Sequence, residues 1–119
     1  MRTKLLPILA ALGLSASAVS AWAHAELVTA PPRVGSTVPA PPSEVRLSFS
    51  EAVEPHFSGI EVTSADGRSV AAGRVQAQGS EMRVALVRGL PAGRYRVTWH
   101  VVSVDTHRTQ GSFTFEVRS

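Results

Sequence analysis

Arg94-Tyr95-Arg96-Val97-Thr98-Trp99-His100-Val101 is the stretch that decides the fold class. Tyr95, Val97, Trp99 and Val101 alternate with Arg94, Arg96, Thr98 and His100. A period of two puts the apolar set on one face of an extended strand and the polar set on the other. The same pattern recurs outward along the chain. Phe113, Phe115 and Val117 alternate with Ser112, Thr114 and Glu116. Gly89 to Gly93, with Pro91 inside, reads as a turn before the Tyr95 strand. Upstream, Met82, Val84 and Leu86 form a further alternating set, as do Ile60 and Val62 ahead of a turn at Asp66-Gly67, and Val45, Leu47 and Phe49. Leu27 and Val28 open the fold as a short strand, and Val70 and Val75 flank weaker ones. Pro31-Pro32, Gly35, Pro39, Pro41 and Pro42 break the chain between them. No window long enough for a helix has helical spacing. About seven short strands with frequent turn signals predict an all-β, antiparallel Greek-key sandwich or barrel. The expected core is Leu47, Phe49, Ile60, Val62, Val84, Leu86, Tyr95, Val97, Trp99, Phe113 and Phe115.

The first residues follow a different logic. Arg2 and Lys4 give a positive start, Leu5 to Leu14 a short apolar run, and Ala21-Trp22-Ala23 the small residues of a cleavage site. Residues 1–23 are therefore expected to be a signal peptide, and residues 24–119 the exported domain. The apolar run is too short for a membrane span. One domain fits the 119 residues, and with no cysteine neither disulfides nor thiolate ligands exist. The formal charge of +3 includes Arg2 and Lys4, so the exported part is nearly neutral. No basic run or aromatic-interleaved patch is present, and nucleic acid is not an expected partner.

Cleavage after Ala23 makes His24 the first residue and turns its backbone nitrogen into an amine. Amine and imidazole of one residue can then chelate one ion, and such nitrogens suit copper(II) and other late first-row metals. Asp105-Thr106-His107 is a second donor cluster. In extended backbone, positions two apart project to the same side, so Asp105 and His107 could act as neighbouring ligands. Gly111 follows shortly, which suggests a strand end or tight turn. The competing readings are a polar turn at Asp105 and an accidental histidine at position 24. Glu51 is a lesser candidate, as an outer ligand or as an acceptor that orients a ligating imidazole. Glu54 and His56 read as loop residues, and His100 as an exposed strand histidine. Met82 reads as core, so no methionine-built copper(I) site is available after cleavage. There is no Gly-x-Ser-x-Gly, phosphate loop or His-Glu-x-x-His motif.

His24-Ala25-Glu26-Leu27-Val28, Pro31-Pro32 and Leu47-Ser48-Phe49-Ser50-Glu51 resemble the start of the CopC family of periplasmic copper-resistance proteins. Gly93-Arg94-Tyr95-Arg96-Val97, Trp99 to His107 and Gly111-Ser112-Phe113-Thr114-Phe115 resemble its closing part. The resemblance implies a seven-stranded sandwich or barrel of cupredoxin-like (Ig-like) topology. It implies a site for one copper(II) ion, with His24 binding through amine and ring, His107 through its ring and Asp105 through its carboxylate. Glu51 falls where some members have an acid near the copper. Members with a second site carry a methionine-rich loop for copper(I); residues 68–80 here contain no methionine, which points to the copper(II)-only branch. Some relatives are fused to a CopD-type membrane copper transporter, so a separate protein of that kind is the expected partner of a monomeric, periplasmic, non-catalytic carrier.

Two other function classes fit less well. A terminal histidine that clasps copper also serves copper oxygenases acting on polysaccharides. Here Trp99 is the one tryptophan beyond the leader, so no flat aromatic platform is evident, and Asp105 would occupy a position that oxygen needs. A metal-free structural sandwich satisfies the strands and the charge, but gives no role to His24 and His107.

Overall fold

A computed structural model describes residues 25–118. The leader 1–23, its junction and His24 lie outside the described residues. Eight strands form: β1 (Leu27–Thr29), β2 (Thr37–Val38), β3 (Glu44–Phe49), β4 (Gly59–Ser64), β5 (Gln76–Gln78), β6 (Glu81–Ala85), β7 (Gly93–Val102) and β8 (Arg108–Val117). They make two four-stranded sheets, ordered β1-β3-β6-β5 and β2-β8-β7-β4. Only β5–β6 and β7–β8 are hairpins within one sheet; every other connection crosses between sheets, as in a Greek-key sandwich. Among the described residues no helix is long and apolar enough to cross a membrane.

The count differs from the seven strands expected. Two of the strands are short and carry no apolar alternation. β2 is two residues long and pairs in parallel with the end of β8, Thr37 opposite Glu116 and Val38 opposite Val117. β5, the polar run Gln76-Ala77-Gln78, is the weaker strand expected beside Val75, held as an edge against β6. Val70 belongs to no strand; its neighbours Ser69 and Ala71 make isolated bridges to Thr63 and Leu86.

All eleven expected core residues are buried, and Val45, Val53, Met82, Leu90, Val101 and Val117 join them. Burial along β7 alternates strictly from Arg94 to Val101, as its sequence requires. Tyr95 stacks on Phe115 with ring centroids 5.5 Å apart and donates its hydroxyl to the Pro91 carbonyl at 2.6 Å, tying the β6–β7 turn to the core. Trp99 joins the sheets: its ring meets Phe49 of β3 edge-on, with centroids 5.1 Å apart. Gly111 lies directly opposite Trp99. A Cβ at Gly111 would sit 2.7 Å from the Trp99 ring. Gly111 is therefore mid-strand, a close approach that only hydrogen permits, and the turn lies before it at residues 103–107.

At one end of the sandwich the segment after β3 runs beside the β7–β8 turn. Val53 bridges Ser103, the Glu54 N–H donates to the Val102 carbonyl at 2.8 Å, and the Val104 N–H donates to the Ala52 carbonyl at 3.1 Å. That end carries Asp105 and His107.

Candidate metal centre

The β7–β8 connection is a tight hairpin closed by the backbone. The Thr106 N–H donates to the Ser103 carbonyl at 2.8 Å, and the Ser103 N–H donates to the His107 carbonyl at 2.9 Å. Thr106 has φ of 73°, a left-handed conformation. This is a turn followed by a left-handed residue, a common three-residue hairpin loop in which glycine usually takes the last position. The tight turn expected between the two strands is thus present, whereas the extended backbone that would have put Asp105 and His107 on one strand face is not. The two side chains do meet, but because the chain reverses at Thr106, not because they share a strand face.

His107 Nδ1 lies 3.3 Å from Asp105 Oδ1, and both side chains are a little under half exposed. The Ser103 hydroxyl donates to the same Oδ1. That bond foremost holds the Asp105 carboxyl below the usual carboxylate range; burial opposes it, and smaller contributions from His107 add to the lowering. Asp105 therefore stays an anion to lower pH than an ordinary aspartate. An anionic oxygen beside an imidazole is a hard–borderline donor pair that suits a divalent late first-row ion.

The other candidates fall as follows. Glu51 is half-buried in the bend after β3, on the segment that flanks the hairpin. Glu54 and Phe57 share a shallow groove with His100, Thr106 and Arg108 on the outer face of β7 and β8. His100 is exposed and its ring covers Gly59, 2.8 Å from where a Cβ would stand. His56 is exposed on the short 3₁₀ turn Pro55–Phe57. Among the described residues no three of these side chains converge as a metal cluster. Asp105 and His107 are a pair that needs donors from elsewhere.

The start of the described chain is fastened next to that pair. The Thr109 hydroxyl, two residues beyond His107, donates to the Ala25 carbonyl at 2.8 Å. Ala25 is fully buried. The Glu26 N–H donates to the Ser50 hydroxyl at 2.8 Å, and the Ser50 N–H returns a bond to the Glu26 carbonyl at 2.8 Å. Residues 25 and 26 are thereby clamped between β8 and the end of β3. Sequence reading missed Thr109 and Ser103, because a hydroxyl that binds a backbone atom 84 positions away, or a carboxylate across a turn, leaves no periodic trace.

A threonine at φ of 73° carries strain, since a left-handed L-residue costs roughly 1–2 kcal/mol. Thr106→Gly removes that cost but returns up to about 1 kcal/mol through the freer unfolded chain. The net expectation is a change between about zero and a gain of about 2 kcal/mol. Thermal unfolding of the metal-free variant should show a midpoint at or a few degrees above the parent; a clear fall would contradict the turn geometry.

Comparison with known proteins agrees with this architecture. The CopC domain model matches residues 27–118. Protein YobA of Escherichia coli K12 is 40% identical over 113 residues, covering 92% of this chain and 91% of its own length. Copper resistance protein C of Escherichia coli is 37% identical over 111 residues, covering 85% of this chain and 86% of its own. Among solved structures, CopC from Methylosinus trichosporium OB3b superposes with a TM-score of 0.73 at 32% identity, over 80% of this chain and 94% of that one. PcoC, a methionine-rich copper resistance protein from Escherichia coli, superposes with a TM-score of 0.71 at 37% identity, over 81% and 100%. The domain match runs almost the whole length of the described residues, and the same sandwich recurs in these relatives: the chain belongs to the CopC family.

Proposed function

We propose that this protein is a periplasmic copper(II) carrier, which sequesters or delivers one ion without catalytic turnover. Signal-peptide removal after Ala23 would expose the amine of His24. That amine, the His24 ring, the His107 ring and the Asp105 carboxylate would form the site, with Glu51 a lesser candidate nearby. A membrane copper transporter of the CopD type is the partner this reading implies. The relatives named as copper resistance proteins support the copper assignment, and so does the CutJ relative of Bacillus subtilis, a copper transport protein of which this chain matches 19%.

The observation that carries the reading is the Thr109–Ala25 hydrogen bond. Residue 24 is covalently joined to Ala25, and adjacent Cα atoms are about 3.8 Å apart. Fastening Ala25 to β8 beside His107 therefore limits how far the terminal nitrogens can stand from the Asp105–His107 pair. The N/O donor set also lacks the thioether sulfurs that favour copper(I): Met82, the sole methionine beyond the leader, is fully buried in β6.

A competition titration of the protein beginning at His24 tests the reading. His24→Ala keeps the amine and loses the ring; His107→Ala loses the opposite imidazole. Each should weaken copper(II) binding by more than about 100-fold, since even partners outside the ligand shell are worth 10–100-fold. Parent-like affinity in both variants would sink it. Protons compete for the same nitrogens, so affinity should fall steadily as pH is lowered, while Asp105, already held anionic by Ser103, adds nothing to that fall until more acidic pH.

A further inference from the structure

The geometry points to Ser103 as a positioning residue of the copper site, which holds the Asp105 carboxylate by Oδ1 in its place beside His107. This rests on the copper reading above. Ser103 is the buried polar residue among the described residues, with 0% of its surface exposed. Its backbone is fixed on every side: its N–H donates to the His107 carbonyl, its carbonyl accepts from Thr106, and it bridges Val53. The hydroxyl thus enters the site from a base held by three backbone contacts.

That hydroxyl has one proton and two acceptors within reach, Asp105 Oδ1 and, at 3.3 Å, the His107 carbonyl. The carbonyl already accepts the Ser103 N–H, and an anionic oxygen is the stronger acceptor. The proton therefore goes to Asp105. His107 Nδ1 approaches the same Oδ1. Both contacts fall on Oδ1, and the backbone of His107 also bonds this carboxylate. A carboxylate held this way gives up its rotamer freedom before the metal arrives, which is the usual work of groups behind a ligand.

A double-mutant cycle on the protein beginning at His24 tests this, with copper(II) alone as the probe. Ser103→Ala should lower copper(II) affinity about 10-fold or more. It should also alter the copper(II) electron paramagnetic resonance spectrum, which a purely structural role would not do. In an Asp105→Ala background the same change should shift affinity by no more than about 2-fold, because the group it acts through is gone. Ser103→Thr keeps the hydroxyl and should retain the parent spectrum and affinity within about 2-fold, as expected for groups that no longer differ in the interaction. Equal loss in both backgrounds, no loss at all, or a Thr variant as impaired as the Ala one would overturn the assignment. Failure of the copper reading itself is separately visible: Asp105→Ala would then bind copper as the parent does, before Ser103 is touched.

Discussion

Acetylating the amine of His24 should lower copper(II) affinity by more than about 100-fold, with His24, Asp105 and His107 side chains all intact. An amide nitrogen has its lone pair delocalised into the carbonyl and is a poor donor until deprotonated, so acetylation removes one ligand and opens the chelate ring formed with the imidazole. The loss should exceed the 10–100-fold that follows removal of a group merely supporting a ligand. The uncleaved precursor should behave like the acetylated protein, because its position-24 nitrogen is also an amide. A titration against a chromophoric chelator gives the affinities, and electron paramagnetic resonance counts the nitrogens on copper. Tight binding by the acetylated form would remove the amine from the site and leave His24 at most a ring ligand. The prediction matters because proteolysis would then be the step that arms the site, and copper binding would be confined to the compartment where the leader has been removed.

The parts of this molecule that can be read from sequence are those with a period. Val45-Leu47-Phe49 and Tyr95-Val97-Trp99-Val101 alternate because one face of each sheet is buried, and burial follows the pattern residue by residue. β2 escapes such reading and β5 is legible only as a weak strand beside Val75, because their pairing is decided by partners, β8 and β6, rather than by their own composition. Gly111 signalled the turn that precedes it, but its own role escaped the sequence: its lack of a side chain serves the Trp99 ring opposite, a tertiary contact that sequence cannot show. The pairing of Asp105 with His107 is visible in their spacing, yet the means is a left-handed threonine that nothing in Asp-Thr-His announces. Ser103 and Thr109 look like ordinary strand-end hydroxyls. Their meaning lies in which acceptors the fold brings to them.

The largest stability effect should come from Trp99→Ala. Trp99 is 8% exposed, stands edge-on to Phe49 of the opposite sheet and fills the space over Gly111. No neighbour can collapse into the void from the Gly111 side, because that residue has no side chain to extend. Removing a buried tryptophan typically costs about 3–5 kcal/mol, a large share of the roughly 5–15 kcal/mol that holds a domain folded. At about 4–8 °C per kcal/mol for a domain of this size, the unfolding midpoint should drop by at least about 12 °C. The copper site should nonetheless survive in the folded fraction. Three register pairs, His100 with Gln110, Val101 with Thr109 and Val102 with Arg108, separate Trp99 from the turn, and the turn is closed by its own backbone bonds. Copper at about 100 times its dissociation constant adds about 2.7 kcal/mol of stability to any form that binds it only when folded. That increment should be the same in parent and variant. A smaller increment in Trp99→Ala would show that packing at the centre of the hairpin, and not the hydrogen bonds at its tip, sets the distance between His107 and the start of the processed chain.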